Sequence, residues 1–247
     1  MAVAVVMMIR LDKYLADMGL GTRSEIKKEI RKGSVSVNGV SACRPETKID
    51  TDHDEITFRG ESVAYVKYEY YMLNKPAGVV SATTDRQETT VLELIKERKR
   101  DGLFPVGRLD KDTEGLLLLT NDGGLAHRLL SPKKHVDKVY FARINGRVTG
   151  TDVENFARGV DIGDDRPTLP AELDVCSSGE YSEVRLTIHE GRFHQVKRMF
   201  QAVGKEVIYL KRLQMGTLSL DKSLKPGEYR RLTEEEVERL CSQGRKL

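Results

Sequence analysis

The sequence predicts a protein of the α+β class that is built in two parts. Its 247 residues, 39% of them hydrophobic, suffice for one large domain or two smaller ones with a real core. The first sixty residues show two helical patterns and then a hairpin signal, whereas the remainder mixes short helical segments with strands, and strands dominate. We therefore expect a small helix–helix–hairpin domain followed by a larger domain with a mixed or antiparallel sheet.

Two helices open the first part. The spacing of Leu11, Leu15 and Met18 predicts an apolar helical face, and Thr22 with Glu25 has the spacing of a capping box that starts a second helix. This second helix carries five cations against two acids, so it displays a basic surface, although most charge runs are only solvated faces. The five cations are Arg23, Lys27, Lys28, Arg31 and Lys32.

A hairpin follows the helices, because small polar and apolar residues alternate around Asn38 and Gly39, the strongest short hairpin signal. Ile49, Ile56 and Phe58 suggest another strand pair. We place this domain at residues 10–60, a linker at 61–67 and the second domain at 68–247. Residues 1–9 are expected to be a disordered or non-native extension, and translation could equally begin at Met7 or Met8.

The most informative stretch of the second part is "GRLDKDTEGLLLLTNDG", residues 107–123. Its leucine run predicts a buried strand bounded by a turn signal, so Asp110 lies on a polar loop between two apolar segments. Catalytic groups often lie on such loops, but an aspartate there is more often a solvated turn residue. The acids also fit positions 1, 3 and 5 of a calcium loop, yet position 12 is Asn121 and the flanks are strand-like, which argues against calcium.

Several other classes are disfavoured by the sequence. The apolar stretch "MAVAVVMMI" is too short to span a bilayer and lacks the features of a secretory signal. Cys43, Cys176 and Cys241 are far apart, so neither a disulfide framework nor a zinc knuckle is expected, and a cytoplasmic location follows as the default. His189 and His194 are one residue too far apart for the metalloprotease pattern, and no glycine-rich phosphate loop occurs.

The segment "RLDKYLADMGLGTRSEIKKEIRKGSVSVNGV" resembles the S4 RNA-binding domain over roughly the first sixty residues. That resemblance implies that the five helix cations bind structured RNA, chiefly by salt-dependent phosphate contacts.

Five motifs then occur in the order found in bacterial rRNA pseudouridine synthases of the RsuA family, which the chain resembles from Met8 onward. They are "MLNKPAGVVS", "GRLDKDTEGLLLLTNDG", "KVYFARI", "EGRFHQVKRMFQAVG" and "LKPGEYRRLTEEEV". The resemblance implies isomerisation of uridine to pseudouridine in folded RNA, which needs neither a cofactor nor a metal.

The resemblance also implies roles for individual residues. Asp110 matches the aspartate that attacks or deprotonates the ribose, and Lys197 matches its basic partner. Tyr140 matches the tyrosine that stacks on uracil and assists late removal of the C5 proton, and Arg108 the residue that fills the gap left by the extruded nucleotide. Leu213 is expected to supply an apolar wall beneath the aspartate. Whether a covalent ester or a glycal forms stays open.

The fourth motif is predicted to be one helix, residues 190–204, whose apolar positions, Phe193 among them, face the core. Taken together, the sequence predicts a monomeric enzyme that acts on one uridine of 16S rRNA, alone or within a small-subunit assembly intermediate, and not at a membrane. A uridine in 23S rRNA is the alternative within this class. A non-catalytic ribosome assembly factor that binds RNA through its S4 domain is the alternative outside it.

Overall fold

The computed structural model describes residues 7–242, except for the side chain of Lys133. These residues divide into two compact units, one running up to Glu69 and including Glu97–Gly102, the other comprising 70–96 and the rest of the chain from Leu103. The predicted α+β class is confirmed, with a small helix-and-hairpin unit and a larger unit built on a mixed sheet. Residues 1–6 of the expected extension lie outside the described residues, whereas Met8 already begins a strand.

The first unit packs two helices against short antiparallel strands. Strands β1 and β4 pair with each other, and β3, β2, β5 and β6 form a four-stranded sheet in that order. The elements are β1 (Met8–Arg10), α1 (Leu11–Asp17), α2 (Arg23–Arg31), β2 (Val35–Val37), β3 (Val40–Ser41), β4 (Lys48–Asp50), β5 (Ile56–Phe58) and β6 (Glu61–Ser62).

The predicted capping box and hairpin of this unit are both present. Thr22 accepts from the Glu25 backbone N–H while the Glu25 carboxylate accepts from the Thr22 backbone N–H. Asn38 and Gly39 form the turn between β2 and β3, both with positive φ. The pairing expected between the strands near Ile49 and Ile56 was wrong, because β4 pairs with β1 and β5 with β2 and β6.

The segment expected to be a linker takes part in the packing of the first unit. Residues 61–62 form β6, and the side chain of Tyr65 packs against the core, its ring 5.0 Å from that of Tyr14. The segment 97–102 belongs to the same unit: Arg100 donates to the Val66 carbonyl oxygen and lies 3.5 Å from Asp17.

The second unit is organised around a sheet with the strand order β11-β12-β10-β13-β9-β7-β15, to which β8 and β14 are added by pairing with β9 and β13. The β13–β9 pair is parallel and the other pairs are antiparallel. The strands are β7 (Tyr70–Lys75), β8 (Phe104–Pro105), β9 (Glu114–Thr120), β10 (Lys138–Asn145), β11 (Glu172–Ser177), β12 (Tyr181–Ile188), β13 (Glu206–Met215), β14 (Leu218–Ser219) and β15 (Tyr229–Arg231). The helices are α3 (Gly123–Leu130), α4 (Gly150–Arg158), α5 (Gln195–Ala202) and α6 (Glu234–Ser242), with a 3₁₀ turn at Pro132–Lys134.

The four-leucine run forms the central strand β9 and is buried on both faces. Leu116 and Leu118 belong to one apolar cluster, while Leu117 and Leu119 belong to the cluster on the opposite face. Because side chains alternate along a strand, only a strand covered on both sides needs four apolar residues in succession. The predicted buried strand is thus confirmed, and it anchors the downstream end of the Asp110 loop.

Two helix predictions were wrong in extent or type. The sequence pattern of residues 91–99 predicts a helix, but residues 91–94 form turns with i→i+3 bonds, such as Ile95 N–H to the Leu92 carbonyl oxygen, and residues 95–99 form no regular element. The helix expected over 190–204 is only Gln195–Ala202, because His194 adopts a left-handed conformation, with φ 47°, at its start. Phe193 therefore lies outside the helix and is 67% exposed, whereas the sequence pattern placed it in the core.

Within residues 7–242, no helix combines the length and the apolar character needed to cross a membrane.

Candidate active site

A cavity of about 730 Å³ opens in the second unit beside the loop that joins β8 to β9. Three residues singled out from the sequence line it, namely Arg108, Asp110 and Tyr140. Arg108 is exposed, the Asp110 side chain is 27% exposed and Tyr140 is buried. The cavity lining therefore combines an exposed cation, a partly exposed carboxylate and a buried aromatic ring.

Asp110 faces two basic side chains that come from the start of α5. Lys197 Nζ lies 3.6 Å from Asp110 Oδ2, and His194 Nε2 lies 3.5 Å from Asp110 Oδ1. Neither of these two contacts is a hydrogen bond. The structure thus brings Lys197 to Asp110, and adds a histidine that the sequence motif had not assigned a role.

Lys197 makes a shorter contact with a second acid. Its Nζ donates to both carboxylate oxygens of Asp112 at 2.7 Å. The hydrogen bond from Lys197 is the main cause that lowers the pKa of Asp112. Asp112 and Glu114, two of the acids in the rejected calcium pattern, are therefore engaged by protein groups, since Glu114 accepts from Tyr209.

The Asp110 loop is held from below by Lys75, the last residue of β7. Lys75 is fully buried, and its ammonium donates to the carbonyl oxygens of Asp110, Lys111 and Thr113, at 3.0, 3.2 and 2.9 Å. A fourth bond reaches the Pro76 carbonyl oxygen. Burial lowers the pKa of Lys75 to about 8. The sequence offered a signal for this role, because a lysine that ends an otherwise apolar strand is rarely buried without partners.

Ser81 holds the other side of the same loop. Its hydroxyl accepts from the Leu109 backbone N–H at 3.0 Å and donates to the Leu109 carbonyl oxygen at 2.8 Å. Two residues of the "NKPAGVVS" motif therefore hold the backbone on either side of Asp110 by hydrogen bonds. A loop fixed in this way presents its carboxylate in one orientation, as preorganised chemistry requires.

The floor of the cavity consists of residues from β10 and β13. Tyr140 on β10 is directly opposite Arg212 on β13, and Leu210, two residues before Arg212, also lines the cavity. Leu213 does not line it: the strand has a bulge at this point, and Leu213 is the residue left out of the pairing. Leu210 is therefore the apolar residue that β13 contributes to the cavity lining, and strand alternation counted from Arg212 would have found it.

The remaining motif residues fix the neighbouring loop. Arg192 donates to the carbonyl oxygens of Arg166 and Pro167, both at 2.7 Å, and pairs with the buried carboxylate of Glu190. His189 instead pairs with Asp137. The two histidines of the metalloprotease-like pattern thus diverge, and no group of three metal-ligating side chains occurs among residues 7–242.

In the first unit, the basic helix is only partly available for RNA. Arg23 donates to both carboxylate oxygens of the buried Asp12, and Lys27 lies 4.0 Å from the same carboxylate. Lys32 is bound to Glu29. Lys28 and Arg31 are exposed and have no ion pair within the described part of the chain. These last two residues are the freest candidates for phosphate contacts.

A cavity that offers an aromatic ring beside a carboxylate fixed on a loop, in a chain that also carries a basic helix, has the features of an RNA-modifying enzyme. Comparison with known proteins gives the family. Residues 69–202 match the RNA pseudouridylate synthase family and residues 9–56 match the S4 domain. The chain belongs to the RNA pseudouridine synthase family, whose members are isomerases.

Similar proteins agree with this assignment over nearly the whole chain. An uncharacterized RNA pseudouridine synthase, YtzG of Bacillus subtilis, is 50% identical over 93% of this chain and 97% of its own. Ribosomal small subunit pseudouridine synthase A of Escherichia coli K12 is 42% identical over 93% of this chain and 98% of its own. A crystal structure of a pseudouridylate synthase is 40% identical, covers 94% of this chain and 99% of that one, and has a TM-score of 0.66.

Proposed function

We propose that this enzyme converts one uridine of 16S rRNA into pseudouridine, with Asp110 as the group that acts on the ribose. One observation carries the proposal: the Asp110 carboxylate opens into a cavity that Tyr140 also lines, while Lys197 lies 3.6 Å away. The choice of the small subunit is supported by the 42% identity to the Escherichia coli small-subunit enzyme, which extends over both units.

The chemistry assigned to Asp110 requires its ionised form. A carboxylate either bonds to C1′ of the ribose, giving an ester, or takes the C2′ proton, giving a glycal; both routes break the C1′–N1 bond. Lys197 places a positive charge 3.6 Å from this carboxylate, and Lys75 with Ser81 keeps the loop in place. The uracil then turns and C5 bonds to C1′. The net change moves one bond and one proton, so no cofactor is required.

Tyr140 and Arg108 handle the base and the gap it leaves. In this proposal the Tyr140 ring, buried on the cavity wall, stacks on uracil, and its hydroxyl assists removal of the C5 proton. Arg108 is exposed at the mouth, where a guanidinium both stacks on bases and binds phosphate. Lys28 and Arg31 on α2 supply affinity for the RNA backbone, with Arg23, Lys27 and Lys32 contributing less because they are paired with acids.

We also propose that residues 10–60 form the RNA-docking domain and residues 68–247 the catalytic domain, and that the enzyme works as a monomer in the cytoplasm. Its substrate there is 16S rRNA or a small-subunit assembly intermediate.

Deleting the gene and mapping pseudouridine across both rRNAs tests this proposal. We expect one 16S pseudouridine to disappear and to return with the wild-type gene. Loss of a 23S signal with 16S intact would reject the proposed target in favour of the large subunit. Loss of no pseudouridine, combined with a defect in small-subunit assembly, would favour the non-catalytic assembly factor.

A further inference from the structure

Two buried cations line the cavity, and neither the family resemblance nor the proposed mechanism gives them a role. Arg212 is 2% exposed and Lys138 is 6% exposed, and both line the cavity. By comparison, the Asp110 side chain is 27% exposed. The positive charges therefore lie deeper than the carboxylate that acts on the sugar.

The strand register places both cations beside Tyr140. Arg212 is its cross-strand partner, and Lys138 lies two residues away on the same strand, hence on the same face of the sheet. Any ring that stacks on Tyr140 is consequently flanked by a guanidinium and an ammonium. Arg212 also pairs with Gly115 at the downstream end of the Asp110 loop, so its position is fixed relative to that loop.

Neither cation has an anionic partner in residues 7–242. Arg212 Nε donates to the Leu116 carbonyl oxygen, but its Nη2 is buried without any hydrogen-bond partner in the described chain. Lys138 Nζ donates to the Val136 carbonyl oxygen. The nearby acids are engaged elsewhere, because Asp137 pairs with His189, and Glu190 accepts from Arg192 and Gln195.

Burying two cations side by side without an anionic partner costs free energy, and a ligand that carries negative charge would reduce this cost. Burial, and next the charge of Arg212, lower the pKa of Lys138 to about 8, although the charges of Asp137 and Glu190 act in the opposite direction. The orphaned Nη2 shows that a hydrogen-bond acceptor is missing from the folded protein itself. The ligand that fits is one with delocalised negative charge on oxygen.

We propose that Arg212 and Lys138 bind the carbonyl oxygens of the target uracil and stabilise this base as an anion when it leaves the ribose. This inference rests on the proposed isomerase function. When the C1′–N1 bond breaks, its electron pair stays with uracil and is shared by N1 and the carbonyl oxygens. The ring later returns a pair from C5 to form the C5–C1′ bond, and the C5 proton is lost while N1 gains one. The negative charge on the uracil ring is therefore greatest between cleavage of the C1′–N1 bond and formation of the C5–C1′ bond, and the two cations stabilise the base at that stage.

An RNA phosphate is the other anion that such a pair could bind, but the depth of the cations argues against it. A nucleotide that enters base first leaves its phosphates at the mouth, near the exposed Arg108, and its sugar near Asp110. The base reaches furthest in, which is where Arg212 and Lys138 lie.

The test compares Arg212→Gln and Arg212→Lys with wild type in single-turnover reactions. The substrate is an rRNA fragment that carries the mapped target either as uridine or as 5-fluorouridine, and consumption of the parent nucleoside is measured after digestion. Fluorine makes the departing base a weaker base, so it needs less help from a cation. Arg158→Gln is the matched control, because Arg158 is exposed and pairs only with the exposed Glu154 within residues 7–242.

We expect Arg212→Gln to slow the uridine reaction by about 100-fold, as loss of one preorganised charge donor does. For 5-fluorouridine its deficit should be at least about fivefold smaller, and Arg212→Lys should retain more activity than Arg212→Gln on uridine. Equal deficits on the two substrates would overturn the inference, because a merely structural role does not distinguish leaving groups. A fall of about 1 in the salt slope of RNA binding would also overturn it, since that marks a phosphate contact.

If Arg212→Gln fails to fold, Lys138→Met carries the same comparison between substrates. Failure of the proposed function is separable from failure of this inference. In the first case the wild type consumes no uridine in any rRNA fragment, and in the second the wild type is active and only the leaving-group pattern is absent.

Discussion

Lys197 lies closer to Asp112 than to Asp110. Its Nζ is 2.7 Å from both carboxylate oxygens of Asp112 and 3.6 Å from Oδ2 of Asp110. The Asp112 side chain is 70% exposed, whereas those of Lys197 and Asp110 are 27% exposed. One ammonium thus bridges an exposed acid and the acid that faces the cavity.

This arrangement predicts a large loss of catalytic rate for one substitution and a small change for another. Lys197→Met should lower the single-turnover rate by about 100-fold, because Asp110 loses the closest lysine charge. Asp112→Asn should change the rate by less than about fivefold, since an exposed ion pair is worth at most about 1 kcal/mol. Rates measured on the same rRNA fragment decide between them. A Lys197→Met enzyme as fast as wild type would remove Lys197 from the proposed mechanism.

Gly115 is where β9 approaches β13 too closely for any side chain. Its φ is 100°, and a Cβ placed on it would lie 2.8 Å from the Arg212 backbone nitrogen and nearer still to the Arg212 carbonyl oxygen. We expect Gly115→Ala to lower the free energy of unfolding by about 3 kcal/mol or more, through strain and steric overlap. Chemical denaturation measures this.

Gly123→Ala is the matched control for that experiment. Gly123 is the first residue of α3, does not have positive φ, and would carry a Cβ with no other heavy atom of the described chain within 4 Å. Alanine there should leave stability equal or raise it by up to about 1 kcal/mol. If both variants lose the same stability, the close approach at Gly115 is not what makes it necessary.

Lys75 predicts a pH dependence of stability. Its pKa is about 8 in the folded protein against 10.5 ordinarily, so between these values the unfolded chain holds a proton that the folded protein has released. The free energy of unfolding of wild type, relative to Lys75→Met, should therefore rise as the pH rises from about 8 to about 10.5. Denaturant titrations across this range measure the difference. A difference that is flat or falls with pH would contradict the assignment.

The same substitution should also cost stability and activity at neutral pH. Lys75→Met leaves four carbonyl oxygens around the Asp110 loop without their donor, so a loss of about 1–3 kcal/mol in the free energy of unfolding is expected, measured by chemical denaturation.

The α2 cations can be separated by the salt dependence of RNA binding. Lys28→Ala should reduce the slope of log K against log salt by about 1 without changing stability, because Lys28 is exposed and unpaired within residues 7–242. Arg23→Ala, by contrast, should lower the melting temperature of the protein, because the fully buried Asp12 loses a partner. An unchanged slope for Lys28→Ala would refute its phosphate contact.

Local signals in the sequence were enough for much of the fold. The Thr22–Glu25 capping box, the Asn38–Gly39 turn and the leucine run each depend on neighbours in sequence, and each is present. The pairing of β4 with β1 was missed because it joins segments about forty residues apart, and nothing local specifies it. Phe193 was misplaced because helical spacing does not reveal that His194 breaks the helix with a left-handed conformation.

The residues of the candidate site likewise separate into those that a sequence motif predicted and those that depend on the pairing of distant strands. Asp110, Tyr140 and Lys197 were found through motifs, and the structure brings the first two to one cavity with Lys197 beside Asp110. Leu210 and Arg212 were missed in favour of Leu213, since a bulge in β13 shifts which side chains face the cavity. A bulge is defined by the pairing of two strands, so the sequence of β13 alone does not predict it.

Pseudouridine formation by purified Asp110→Asn enzyme is the decisive test of the proposed chemistry. Asp174→Asn serves as its control, because Asp174 is exposed on the edge strand β11 and undergoes the same chemical change at a position that does not line the cavity. We expect wild type and Asp174→Asn to form pseudouridine in the rRNA fragment and Asp110→Asn to form none. Pseudouridine formed by Asp110→Asn at the wild-type rate would contradict the central role of this carboxylate.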